Sequence, residues 1–254
     1  MSKIDLAWRV EEACLNAWPS PRQLLVHGYL LRAAGGTSKR QNSMNPMRGS
    51  GRPELAIRAG EAVYAALGRR AIFRIPGIAP QMEPLLSGGP YAVVDETCTL
   101  FRELDGFCDE PDPAVTLARN PDAAWLALRD AMNRADPAAA QAFRTTVEAL
   151  ILPRAFAAVA NEGEIGGEIG ALAFGVCDGD LLVIESVATP ERLRGRGHAR
   201  RAVGALLRWA RSQGARAACL QVVAANTPAR SLYRGLGFER ELYRYHYRVG
   251  PEPA

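Results

Sequence analysis

One passage constrains this chain more than any other. A strand-like run, "LLVIESVAT" (Leu181 to Thr189), passes through "PERLRGRG" into an amphipathic run, "HARRAVGALLRWARSQG". The turn carries two glycines and sits where a strand ends and a helix starts. Helix-start N–H groups have no partner within the helix, and the positive end of the helix dipole lies behind them. Such a place attracts anions. Glycine lets the backbone come close to a phosphate and take dihedrals other residues avoid. Successive amides turned inward make an anion-binding nest. The turn is not a P-loop, because no Gly-Lys-Ser/Thr follows. It is not the dinucleotide fingerprint either, because Arg200 stands where a third glycine would be.

The rest of the C-terminal part alternates in kind. "AVTLARN" reads as a strand. "PDAAWLALRDAM" and "DPAAAQAFRTTVEAL" have helical periodicity with Pro near the start. "RAFAAVA", "EIGALAFGVC" and "LLVIESVAT" read as strands, the last two joined by the turn signal "DGD". "RAACLQVVA" is a buried-looking strand, "TPARSLYRGLG" a short helix and "RELYRYHYRV" an alternating final strand. The N-terminal part opens with an amphipathic helix over Ile4 to Trp18. It continues with a strand pattern in "LLVHGYLLRAA", a helix in "PELAIRAGEAVYAALG", and strands "AIFRIP" and "YAVVDETCTLF" around a short helix, "APQMEPLL". The fold class is α+β. The acidic, proline-rich stretch from Leu104 to Asp122 reads as a boundary near Pro111. Two domains are expected, 1–110 and 111–254.

At 254 residues, 48% hydrophobic and 23% charged, the chain can bury a core without staples. Its net charge of +4 implies no particular partner. Five widely spaced cysteines and no CxxC pair argue against a disulfide framework. Three scattered histidines argue against a metal site. No apolar run is long enough for a membrane span, and the charged N-terminus is no signal peptide. The expected location is cytoplasmic. Eight arginines and no acidic residue between Arg192 and Arg216 form a basic stretch. The helix within it keeps an apolar stripe (Val203, Leu206, Leu207, Ala210) for a core, so a nucleic-acid partner is not expected.

"RGRGHA" (Arg194 to Ala199) resembles the Arg/Gln-x-x-Gly-x-Gly/Ala pyrophosphate loop of the GNAT superfamily of acyl-CoA-dependent N-acetyltransferases. Downstream, "NTPARSLYRGLGF" resembles that superfamily's second signature, with Asn226, Ala229, Tyr233, Gly237 and Phe238 in register. The resemblance covers about Ala114 to Val249. It implies a GNAT fold there, a mixed central sheet flanked by helices. The N-terminal half shows no such loop. It reads as a smaller α+β domain, faintly GNAT-like, as in tandem arrangements.

The resemblance also implies roles. Two central parallel strands, "LLVIESVAT" and "RAACLQVVA", would splay to admit the pantetheine arm of acetyl-CoA. Val187 and Thr189 would contact it through their backbones. The amides of Arg194, Gly195, Arg196, Gly197, His198 and Ala199 would hold the pyrophosphate. His198 would act through its amide rather than its ring, and Asn226 would orient the cofactor or the local backbone. Tyr233 occupies the family's general-acid position. Glu185 lies two residues before Val187, which by strand alternation gives both side chains the same face. It is the candidate base. The implied acceptor is a small-molecule or peptide amine, and a homodimer stays open. The competing class is a non-catalytic acyl-CoA-binding or regulatory module. "TSKRQNSMNP", polar and turn-rich, is placed beside an acceptor cleft between the halves.

Overall fold

The computed structural model describes residues 2–49, 51–107, 110–161 and 168–252. The first helix, α1 (Lys3–Ala17), is opened by Ser2, whose side chain accepts the Asp5 N–H. Its buried face carries Ala7, Val10, Ala13, Cys14 and Ala17 at helical spacing. The run read as one strand in "LLVHGYLLRAA" is a hairpin of β1 (Gln23–Val26) and β2 (Tyr29–Arg32). His27 and Gly28 form its turn, with φ of 51° and 84°, as a tight hairpin requires. Next come β3 (Met44–Pro46), α2 (Pro53–Ala66), β4 (Ile72–Pro76), α3 (Glu83–Leu86) and β5 (Ala92–Glu103).

The remaining elements follow the reading of the sequence closely. They are β6 (Val115–Ala118), α4 (Ala123–Met132), α5 (Pro137–Glu148), β7 (Arg154–Ala160), β8 (Ile169–Asp178) and β9 (Leu181–Ala188). Then come α6 (His198–Ser212), β10 (Ala217–Val223), α7 (Thr227–Gly235) and β11 (Arg240–Val249). Among the described residues no helix is long and apolar enough to cross a membrane.

All eleven strands form one sheet, in the order β1-β2-β3-β4-β11-β5-β10-β9-β8-β7-β6. This corrects the expectation of a GNAT sheet confined to the C-terminal half beside a separate N-terminal lobe. β5, from the first 110 residues, lies between β10 and β11. β11, at the C-terminal end, lies between β4 and β5. The sheet therefore crosses the position expected as a boundary without a break. Asp112, beside Pro111, is held to α6 by Arg201, whose Nε and Nη2 donate at 2.5 and 2.8 Å.

The two sheet faces carry different cores. Leu181 and Val183 of β9 point to one face, under α1, α4 and α5, with Val10, Trp125, Phe143 and Phe174. Leu182 and Ile184 point to the other, under α6 and α7, with Leu206, Leu207, Tyr233 and Phe238. A third cluster joins α2 to β2 and β4 through Tyr64, Leu31 and Phe73. Helix α6 sits close because Gly175 lies beneath it: a Cβ there would come within 2.7 Å of the Leu182 side chain and 3.4 Å of Leu206.

Candidate active site

β9 and β10 run parallel but pair only from Leu181 with Ala217 to Ile184 with Leu220. Beyond that point β9 continues to Ala188 on β8, and β10 to Val223 on β5. Their facing edges are left unpaired with each other, so the sheet opens in its middle, as the resemblance implies.

At the opening β9 is bulged. Phe174 of β8 pairs with Glu185 and Leu172 with Ala188, so Ala173 opposes both Ser186 and Val187. Ser186 takes φ of 50°, the left-handed conformation that lets one extra residue fit. The bulge reverses the parity of the strand. Glu185 stays on the α1 side, whereas Val187 packs into the cluster under α6 and α7. The expectation that Glu185 and Val187 share a face is thereby corrected: alternation holds only while the pairing is regular.

On the Val187 side lies a groove of about 790 Å³. It is lined by Val187, Thr189, Arg194, Gly195, Gly197, His198, Ala199, Asn226 and Tyr233. Nine of the eleven residues singled out from the sequence thus meet in one place. Arg196 has an exposed side chain that does not line the groove, and Glu185 lies across the sheet. Leu193, Arg200 and Leu232 also line the groove and carried no signal of their own.

The turn fits a pyrophosphate. Gly195 and Gly197 have φ of 78° and 81°, and a Cβ on either would meet nothing within 4 Å. Gly197 is the N-cap of α6 and supplies no side-chain cap, so the first amides of the helix stay open to a ligand. Thr189 Oγ1 is buried with no hydrogen-bond partner among the described residues. His198 is 6% exposed, and its ring packs on Gly170, where a Cβ would come within 3.0 Å. The ring is thereby core, which leaves the His198 amide for the turn. Asn226 caps α7, its Oδ1 accepting the Ala229 N–H at 3.2 Å. Several arginines of the basic stretch are tied into the fold: Arg201 to Asp112, Arg200 to the Gly235 carbonyl at 2.9 Å, Arg211 to the Phe107 carbonyl and Arg192 to Glu168.

Tyr233 is 7% exposed at the groove wall, its ring edge-on to Phe238 with centroids 6.1 Å apart. Burial pushes its phenol well above the ordinary value, and the nearby Glu185 charge adds to this. The hydroxyl therefore keeps its proton at neutral pH.

Across the sheet, a pocket of about 420 Å³ is lined by Glu185 and Ser186, by Trp18 and Phe143, and by a loop with Thr37, Ser38, Arg40 and Gln41. This is the polar stretch placed beside an acceptor cleft. Glu185 is 7% exposed. Arg40 grips both its oxygens, Nη1 to Oε2 at 2.6 Å and Nη2 to Oε1 at 2.7 Å. Arg40 also lies over the Trp18 ring, 5.0 Å from its centroid. At the bulge Ser186 lines the pocket and the next residue, Val187, lines the groove.

A mixed sheet opened between two parallel strands, with a glycine turn at the helix start beyond the gap, defines a GNAT-type N-acetyltransferase. This chain belongs to the family described as "Probable histone acetyltransferase Rv0428c C-terminal", whose profile matches residues 7–248, across both halves. It is 24% identical over 246 residues to the uncharacterized N-acetyltransferase YobR of Bacillus subtilis, covering 95% of this chain and 97% of that one. A GCN5-related N-acetyltransferase from Kribbella flavida shares the fold, with a TM-score of 0.67, 17% identity, and 97% and 96% of the two chains covered. So does a tandem GNAT protein from the clavulanic acid biosynthesis pathway, with a TM-score of 0.60, 13% identity, and 95% and 88% covered.

Proposed function

We propose that the protein transfers the acetyl group of acetyl-CoA to a primary amine by direct attack. The observation that carries this reading is the junction at the bulge. Two consecutive residues line two cavities on opposite faces of the opened sheet: Ser186 a pocket suited to an acceptor, Val187 a groove suited to the cofactor.

Acetyl-CoA would supply the activated thioester. The amides of residues 194–199 would hold its pyrophosphate, and the backbone of Val187, on the free edge of β9, and of Thr189, just beyond it, would bond its pantetheine arm. The amine would enter from the other face, beside Glu185 and Ser186. As the N–C bond forms and the C–S bond breaks, the amine loses a proton and the departing thiolate gains one. Tyr233, buried and protonated, is positioned on the groove side to donate the second. Glu185, fixed by Arg40, faces the acceptor side and has a lone pair on each oxygen left for the first.

The test is CoA-thiol release from acetyl-CoA with a panel of amines, run beside calorimetry with CoA. Gly197→Glu places a carboxylate against the pyrophosphate and should abolish CoA binding. Unchanged affinity in that variant would remove the groove from the assignment. CoA binding with no turnover of any amine would leave the regulatory acyl-CoA-binding module in its place.

A further inference from the structure

The acceptor pocket has a charge pattern of its own. Its lining holds three arginines, Arg40, Arg129 and Arg134, against two carboxylates, Glu185 and Asp136. Each carboxylate has a partner within the fold. Glu185 is held through both oxygens by Arg40, and Asp136 caps α5 by accepting the Ala139 N–H at 2.7 Å. The arginines are not matched in the same way. Arg129 lies over the Phe143 ring at 3.9 Å, and among the described residues its ion-pair partner is Asp130, at 3.0 Å, which is shared with Arg144 at 3.1 Å. Burial pulls Arg129 below its ordinary value despite that neighbour, with Arg144 adding to the effect, as in a cation whose compensation is incomplete. Arg134 is exposed at the pocket and forms no ion pair with a described residue.

The walls set size and shape. Trp18 and Phe143 give one apolar side, their rings 5.8 Å apart. Gly36 lets the loop lie against α5, since a Cβ there would come within 3.2 Å of Ala139. At about 420 Å³ the pocket is at the small end for ligand sites.

Resting on the acetyltransferase reading, we infer that the acceptor is a small primary amine that also bears an anionic group, the amine directed to Glu185 and Ser186 and the anion to Arg129 and Arg134. A lysine-rich tail, which the family's description would suggest, brings further ammonium groups into a lining where three arginines stand against two carboxylates. Carboxylate and phosphate share the recognising chemistry, because both accept paired guanidinium hydrogen bonds.

The experiment uses the full chain with saturating acetyl-CoA and matched amines. The pairs are 4-aminobutyrate against butylamine, glutamate against its diamide, and O-phosphoethanolamine against ethanolamine, with a lysine-rich peptide beside them. The anionic member of at least one pair should be favoured about tenfold or more in kcat/KM, the size of one charged hydrogen bond. The carboxylate and phosphate arms identify which anion is used. Arg134→Gln, at an exposed position, should erode that preference through KM while calorimetric CoA affinity stays. Arg129→Gln should do so more strongly. Equal or better turnover of the neutral amines or the peptide would overturn the acceptor class alone, and so would an unchanged preference in both variants. Failure to acetylate any amine, with CoA still bound, would overturn the acetyltransferase reading and this inference with it.

Discussion

Tyr233 and Arg40 show how differently single residues announce themselves. Tyr233 was legible because it sits inside a local signature, four residues before Gly237 and five before Phe238. Its buried, protonated phenol agrees with an acid. Tyr233→Phe should lower kcat by roughly 10²-fold, the low end of general-acid assistance, because water partly substitutes. Stopped-flow CoA release under conditions where chemistry limits the rate checks it, and an undiminished kcat would leave Tyr233 as core. Arg40 was not legible, because its partner lies 145 residues away in the chain. Only the fold brings the pair together. Arg40→Gln would leave the Glu185 carboxylate buried without its cation, which costs about 3–5 kcal/mol. Thermal unfolding should register a fall of several degrees. Arg40→Lys should recover little of it, since an ammonium cannot match both oxygens at once.

At the scale of elements, β9 and α6 were readable and the way they are joined to the site was not. A β-bulge is defined by the pairing across to β8, and no property of "LLVIESVAT" alone specifies it. The alternation argument therefore put Glu185 and Val187 on one face. Ser186 makes a sharp prediction. Its φ of 50° suits glycine and opposes β-branched side chains. Ser186→Gly should unfold at a temperature close to that of the parent, whereas Ser186→Val should lose about 1–3 kcal/mol together with CoA affinity. Equal stability of the two would mean that the strand is regular there. The tie between Asp112 and α6 adds a pH dependence. Hydrogen bonds from Arg201 pull the Asp112 carboxyl down to about 2, from an ordinary 3.8. A depressed acid stabilises the fold fully above its unfolded value and loses that contribution as protons bind the native form. The contribution should be present above about pH 4 and disappear towards pH 2. Acid unfolding of Asp112→Asn, compared with the parent, should lack this component.

Over the whole molecule, the proline-rich stretch was read as a boundary from its composition, and composition cannot report which strand lies beside which. β5 between β10 and β11 makes the two halves share one sheet. A fragment beginning near Ala114 would lack β5 and α1. It would expose the edge of β10 and the aromatic core around Trp125, Phe143 and Phe174. It should be insoluble or bind no CoA, and a soluble fragment with parental CoA affinity would overturn this. Separate expression of residues 1–110 and 111–254 should restore binding only when the two are folded together.

The position of β11 also sets an order of events during synthesis. Of the described strands β11 is made last, and it must enter between β4 and β5, which are made more than a hundred residues earlier. Until it arrives, both of those edges stand open on the nascent chain, and β10 reaches its partner β5 only late. Sheet pairings this distant in sequence close slowly and leave unpaired edges exposed meanwhile, so the hazard of edge-to-edge association lasts until β11 has been made.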